Sequence, residues 1–396
     1  MPANLAGGSG PERLSFHQLL TRFGPQYLEQ FGSAMPRRQL EVFSHILSCR
    51  TPALGGELFG CPDCAHYHYR YHSCNDRHCP LCGATDAEEW LERQRQRLLL
   101  PVPYFLVTFT VPDPLRSWIR SHPELGYGIL FDASAQALQD LAAHPKRLGA
   151  QLGMLGILHT WSRTLIYHPH LHYLIPGGGL SLDQRQWIPS STKFLLPFRP
   201  LAQHFRTLFR EQLEKRAPEA LPELPKKIWQ QLWVVDTQAA GSGQNALAYL
   251  ARYVFKTATG NRPLELLPSG KVLWPYRDSN TGQSKSIPLE PTELIRRFLQ
   301  HVLPKGLRRV RLFGWLHPAA KVRGNRVRAL LQAAPILTPD EQKTWLTPEN
   351  SPLEGSSSDA PLCPAPLCPH CGQAMVLVGS WRPARRPLLP TLPRPP

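Results

Sequence analysis

The chain has 396 residues, 42% of them hydrophobic, with 45 Lys plus Arg against 29 Asp plus Glu and a formal net charge of +16. That length allows two or three domains with packed cores, and a basic surplus of this size fits a polyanionic partner, because Lys and Arg gain affinity by displacing counterions from phosphates. The opening "MPANLAGGSGPERLSF" has no apolar core of signal-peptide type and no run approaches membrane-spanning length, so a membrane protein is not expected.

A soluble, cytoplasmic chain follows from this reading, and its nine cysteines suit metal binding better than disulfides. Residues 12–48 carry apolar positions at roughly helical spacing and predict a short helical lead-in. The segment "CPDCAHYHYRYHSCNDRHCPLC", Cys61 to Cys82, contains two C-x-x-C knuckles, Cys61/Cys64 and Cys79/Cys82. Each knuckle presents two thiolates from one tight turn, and four thiolates close a tetrahedral structural zinc site. The fourteen residues between the knuckles fall one short of the commonest four-cysteine spacing, and Cys74, His66, His68, His72 or His78 could substitute for a ligand or serve a second ion. Arg70, Arg77, Tyr67, Tyr69 and Tyr71 suit such a module to DNA binding, or it could equally be a folding nucleus.

"ATDAEEWLERQRQRLLL" (84–100) predicts a helix, acidic residues first and basic ones later, as the helix dipole favours. "YFLVTFTVP" from Tyr104 to Pro112 is β-branched and aromatic and predicts a strand. A helix around Tyr127 to Leu148 separates it from a second strand near Leu155 to Thr160. Then comes "WSRTLIYHPHLHYLIPGGGL", a strand that should end in a turn at Gly177-Gly178-Gly179. Residues 198–216 and 244–258 predict helices. From Leu294 to Pro339 there is no Asp or Glu, while ten Lys and Arg occur, with Phe298, Phe313 and Trp315 among them. Arg308, Arg309, Arg311, Arg323, Arg326 and Arg328 are the DNA-contact candidates of that window, where aromatic stacking on unpaired bases would add to phosphate contacts. Beyond Pro335 the chain is dense in Pro and Ser and predicts a mostly disordered tail, with a lone knuckle "CPHCG" at Cys368 that lacks an obvious fourth ligand even with Cys363 counted.

Two constellations carry chemistry. Alternate residues of a strand share a face, so His168, His170 and His172 would point one way and Leu171 the other. Two imidazoles on one face can hold a divalent cation with open positions for a phosphate oxygen, and nitrogen ligands favour Mn2+ over Mg2+. Pro169 belongs near a strand start, which makes His170 and His172 the better pair. In "NALAYLARYVFKTA", Leu247, Leu250, Val254 and Ala258 form an apolar stripe, while Tyr249 and Tyr253 fall one turn apart on another side with Arg252 and Lys256. Two phenols among cations are placed to meet a phosphate backbone.

A His–hydrophobe–His strand followed by a Tyr-x-x-x-Tyr helix resembles the HUH endonucleases. Together the double knuckle, "LHTW", "HPHLH", "GGGL" and "YLARYVFK" resemble, over roughly residues 40–330, the two-tyrosine transposases of rolling-circle insertion sequences, the IS91-like family. The resemblance implies an α+β, Rep-type (HUH) central antiparallel sheet flanked by helices, with an N-terminal zinc-knuckle module. It implies nicking and rejoining of single-stranded DNA at transposon ends and targets through a 5′-phosphotyrosine, with Mg2+ or Mn2+ at the catalytic site, structural Zn2+, and no small-molecule substrate. Tyr249 and Tyr253 become the nucleophiles and His170 and His172 the metal pair, with His159 or His168 as a third ligand. The implied domains are 1–100 (lead-in and zinc-binding, DNA-binding module), 101–300 (catalytic), 301–335 (basic helical DNA contact) and 336–396 (tail). The implied location is the nucleoid of a prokaryotic cytoplasm. A plasmid replication initiator or relaxase, or a zinc-dependent DNA-binding protein without catalysis, are the alternatives.

Overall fold

The computed structural model describes residues 12–82, 91–92, 94–95, 98–255 (252–255 as backbone alone), 259–260, 262–278, 281–332 and 365–383. Its elements run β1 (Glu12–Leu14), α1 (Phe16–Phe31), α2 (Arg37–Ser48), β2 (Gly56–Gly60), β3 (Tyr67–Tyr71), β4 (Tyr104–Thr110), α3 (Asp113–Ser121), α4 (Pro123–Ala143), β5 (Ala150–Gln151), β6 (Gly153–Trp161), β7 (Tyr167–Pro176) and β8 (Gly178–Ser181). They continue with β9 (Trp187–Pro189), α5 (Phe198–Arg216), β10 (Val234–Ala239), α6 (Gln244–Phe255), β11 (Leu264–Leu266), β12 (Val272–Arg277), β13 (Ser284–Leu289), α7 (Pro291–Leu299), β14 (Val310–Gly314), α8 (Lys321–Leu330) and β15 (Val376–Trp381).

Strands β10-β4-β7-β6-β14, in that order, make a central sheet in which every pairing is antiparallel. Alternation sorts its side chains. Phe105, Val107 and Phe109 of β4 and Leu171, Tyr173 and Ile175 of β7 pack with the apolar sides of α4 and α5, including Ile129, Phe131, Phe205 and Phe209. Leu155 and Ile157 of β6, Leu174 of β7 and Leu312 of β14 face the other way and receive Ala246, Leu247, Leu250 and Ala251 of α6. Both faces of the inner strands are therefore covered, which is why β6 reads as a nearly continuous apolar run rather than as clean alternation.

A second core joins distant segments. The capping box at Ser15, whose hydroxyl accepts from Gln18 N while Ser15 N donates to Gln18 Oε1, starts α1. Phe16, Leu19 and Leu20 then pack with Val42, Phe43 and Ile46 of α2, with Leu264, Val272 and Leu289 of the β1-β11-β12-β13 sheet, and with Leu294, Ile295 and Phe298 of α7. The lead-in expected within residues 1–100 thus shares its interior with residues 264–299.

Three further expectations are corrected. Gly177-Gly178-Gly179 is not a closing turn: Gly178, at φ +147, bends the chain into β8, which pairs with β5 and β9 in a separate sheet. The basic segment 301–335 is not simply helical, because Val310–Gly314 forms the edge strand of the central sheet. Within the expected disordered tail, β15 adds to β2 and builds the sheet β15-β2-β3. Most of the helix expected over 84–100, and residues 256–258 of that expected over 244–258, lie outside the described residues. No helix among the described residues is long and apolar enough to cross a membrane.

Gly314 ends β14 at φ +62, and a Cβ there would run into the Leu152 carbonyl oxygen. Gly314→Ala should therefore combine backbone strain with a steric clash and cost about 2 kcal/mol or more. Denaturant unfolding of the two proteins measures this, and equal midpoints would contradict it.

Candidate functional site

The register of β6 against β7 sets His159 opposite His170 and Ile157 opposite His172, while Thr108 of β4 flanks His172 on the other side. The three imidazoles converge on one face. Their ligand nitrogens lie within 4.8 Å of one another, and the ring centroids are 4.4 Å (His159–His172), 4.9 Å (His170–His172) and 5.1 Å (His159–His170) apart. His168, the other candidate third ligand, stands outside this group and contributes its carbonyl instead: His170 Nδ1 donates to His168 O at 2.6 Å.

The contact behind His170 chooses its tautomer. A carbonyl only accepts, so His170 carries its proton on Nδ1 and leaves the Nε2 lone pair for a ligand. His172 Nδ1 shares a 2.8 Å hydrogen bond with Thr108 Oγ1, a hydroxyl that can donate or accept, and this contact orients the ring. Burial holds His170 down to about 4, and burial with repulsion from His170 holds His172 down to about 3. His159 is pushed well below the ordinary histidine range, again mainly by burial. All three are neutral near pH 7, the state in which imidazole binds a metal. Three neutral nitrogen donors on rigid strands fit one divalent ion. Thr108 was missed in the sequence because only pairing across strands reveals it.

Helix α6 crosses this face. Its Ala246, Leu247, Leu250 and Ala251 dock on Leu155, Ile157 and Leu174, and Tyr249 lies half-buried at the margin of that contact. The Tyr249 ring stands 6.1 Å from the His172 ring and perpendicular to it, at 89°. The docking stripe is thus as expected at Leu247 and Leu250, while Tyr249 leans toward the core edge rather than away from it. Tyr253 and Arg252 lie one turn along the same helix with side chains outside the described residues, and Lys256 lies outside them altogether.

The cysteines sort differently from the expected single site. Cys79 and Cys82 group with Cys49 and Cys74, whereas Cys61 and Cys64 group with Cys368 and Cys371. In the first group Cys82 Sγ is 3.5 Å from Cys49 Sγ and 3.6 Å from Cys74 Sγ. In the second, Cys61–Cys371 is 3.4 Å and Cys64–Cys368 is 3.6 Å. A disulfide needs about 2.05 Å, whereas four sulfurs about 2.3 Å from one zinc are spaced by roughly 3.8 Å. Both groups therefore match tetrahedral four-thiolate sites. His78 is not a ligand, for its Nδ1 bonds Asp76 Oδ1 at 2.9 Å and its Nε2 accepts from Leu303 N at 3.1 Å, which occupies both nitrogens. Cys49 was missed because it stands alone after α2, with no neighbour to make a knuckle. Cys363 lies outside the described residues.

The DNA-contact candidates divide by burial. Arg308 is exposed and Arg311 half-buried, and with Lys305 and His317 they line a groove of about 800 Å3 beside the edge strand β14. Arg323 donates to Gln151 Oε1 and the exposed Arg326 to Gln184 O. Arg309 and Arg328 are only 3% and 4% exposed, so they brace the interior and do not face a phosphate backbone; the Arg309 guanidinium sits 5.8 Å from the Trp161 ring. Glu293, just ahead of the acid-free window, pairs with Arg296 and Arg297, so part of that positive charge is neutralised locally.

If the sulfur groups are as described, the purified chain should carry two zinc ions. Cys49→Ser should remove one and Cys371→Ser the other, read by elemental analysis after exhaustive dialysis. A Cys371→Ser protein that still holds two would refute the split.

Comparison with known proteins places these features. Residues 153–324, which span the three histidines and Tyr249, match the family model described as "Putative transposase". Residues 19–111, which contain Cys49, Cys61, Cys64, Cys74, Cys79 and Cys82, match the IS91-type model described as "Transposase zinc-binding domain". The chain is 37% identical over 338 residues to "Putative transposase y4qJ" of Sinorhizobium fredii, covering 81% of this chain and 82% of that protein. It is 29% identical over 322 residues to "Transposase for insertion sequence element IS801" of Pseudomonas savastanoi pv. phaseolicola, covering 76% and 75%. No solved structure matches. With a zinc-binding region ahead of a transposase region, and relatives of the same kind matched over three quarters or more of their length, the chain belongs to the IS91 family of transposases.

Proposed function

We propose that this transposase nicks single-stranded DNA at the ends of its element and rejoins it through a 5′-phosphotyrosine, as HUH endonucleases do, in rolling-circle-type transposition. The observation that carries the reading is the Tyr249 ring 6.1 Å from the His172 ring, over the face on which His159, His170 and His172 converge. The histidine strand β7 is the middle one of five antiparallel strands, which agrees with the sheet that the HUH resemblance implies. Mg2+ or Mn2+ held by the three imidazoles would supply Lewis-acid withdrawal of charge from the scissile phosphate, with Mn2+ favoured by nitrogen donors.

The remaining chemistry belongs to the side chains. The Tyr249 hydroxyl loses its proton and its oxygen bonds to phosphorus, while the bond from phosphorus to the 3′ oxygen breaks and that oxygen takes up a proton. The ester keeps the energy of the phosphodiester, so the 3′-hydroxyl of another strand can attack it and expel the phenol without ATP. A free phenol titrates near ~10, so proton loss must accompany attack at neutral pH. Tyr253, one helical turn away, would provide a second link for strand transfer. Relatives named as transposases weigh against a replication initiator or relaxase, and the full set of catalytic side-chain types weighs against a protein that only binds DNA.

Incubation with labelled single-stranded DNA from the element's own end and Mn2+ or Mg2+ should give an adduct that survives denaturation. Tyr249→Phe together with Tyr253→Phe should abolish it without loss of DNA binding; an adduct in that double variant would remove the nucleophile assignment. His170→Ala or His172→Ala should slow cleavage by ~10²-fold or more, as removal of a transition-state charge stabiliser does.

A further inference from the structure

The sheet β15-β2-β3 has a core cluster separate from those under the histidine strands, and one of its faces carries the tyrosines of the cysteine-rich segment. On β3, alternation puts Tyr67, Tyr69 and Tyr71 on one side and His68 and Arg70 on the other. Register sets those tyrosines beside Gly60, Leu58 and Gly56 of β2, and Trp381 of β15 also pairs with Gly56. Gly56 and Gly60 keep the middle strand low, because a Cβ at Gly56 would meet the Arg70 carbonyl oxygen at 2.7 Å and the Trp381 ring at 3.1 Å, and one at Gly60 would meet Val378 at 2.9 Å. The aromatic rings stand up from this floor.

The Tyr69 and Tyr71 rings are 6.2 Å apart with planes within 9° of parallel. Trp381 stands perpendicular to both, 6.0 Å from each. That separation is short of the roughly 6.8 Å that a base inserted between two rings needs, twice the ~3.4 Å stacking rise, so bases would stack on the outward aromatic surface rather than between these two rings. Core aromatics are shielded; here Tyr67 is 59% and Tyr69 54% exposed, and Trp381 is 37% exposed. Exposed Arg382 follows Trp381, and the described residues 365–383 contain no Asp or Glu.

We propose that Tyr67, Tyr69, Tyr71 and Trp381 form a stacking site for unpaired bases of single-stranded DNA, distinct from the histidine site and built jointly by segments about 300 residues apart. The proposal rests on the single-stranded DNA reading above and extends it to a second contact surface. Alternate aromatics on an exposed sheet face are a general way to bind unpaired bases without reading sequence. The second cysteine group holds the arrangement, since Cys61/Cys64 precede β3 and Cys368/Cys371 precede β15.

The test measures affinity separately from chemistry. In the Tyr249→Phe, Tyr253→Phe background, which should form no covalent link, the change Tyr67→Ala with Tyr69→Ala and Trp381→Ala should weaken binding of a single-stranded oligonucleotide by ~5-fold or more per stacked base lost. Duplex of the same length should change much less. Tyr69→Phe with Trp381→Phe, which keeps the rings, should bind like the parent. Zinc content and the melting transition show whether the triple variant is folded; if it is not, Tyr67→Ala with Tyr69→Ala, which leaves Trp381 in place, carries the same expectation. Unchanged single-strand affinity, or equal loss for single strand and duplex, overturns the stacking site. Neither result bears on whether Tyr249 forms an adduct, which the earlier assay decides.

Discussion

The pairing of β6 with β7 is the constraint on which the candidate site depends. One residue of slip would turn His170 and His172 toward α4 and α5 and bring Leu171 and Tyr173 onto the helix α6 side. The register is held from both faces at once: Tyr173 is buried against Phe109 and Ser134 on one side, and Ile157 and Leu174 are buried under α6 on the other. The imidazoles are thus positioned by apolar packing that has nothing to do with their chemistry. The same packing dries them, and so keeps them neutral.

The two cysteine groups divide the structural labour. Cys49 and Cys79 sit fully within the second core among Phe16, Val42 and Phe298, so the first group welds α2 to the loop before Cys82 inside an interior already large. The second is supported by a small cluster, Phe59, Cys61, Cys368 and Met375. A sheet of three short strands with so little apolar burial is marginal by itself, and a metal would contribute most of its cohesion.

Much of the candidate site could be read from the sequence because its signals are local. Strand alternation identified the face shared by His170 and His172, helical periodicity identified the docking stripe of α6, and aromatic content located β4. What stayed hidden needed contacts between distant segments. His159 was one of two candidates for the third ligand until cross-strand register set it against His170. The cysteine partners were misjudged because nearest-neighbour spacing joined knuckles that the chain separates, and a 304-residue span has no spacing rule. Arg309 and Arg328 looked like any other cations in a basic window, since a run of charge does not disclose which side chains turn inward.

The long span between Cys64 and Cys368 has a consequence for how the molecule is made. A chain emerging from the ribosome has its central sheet and second core available before residue 368 is translated, yet the hairpin β2–β3 must wait with two uncommitted thiols. Products of early termination or frameshift would keep the histidines and Tyr249 but leave that hairpin open. The second tetrahedron can close only once residues 368–371 have been made.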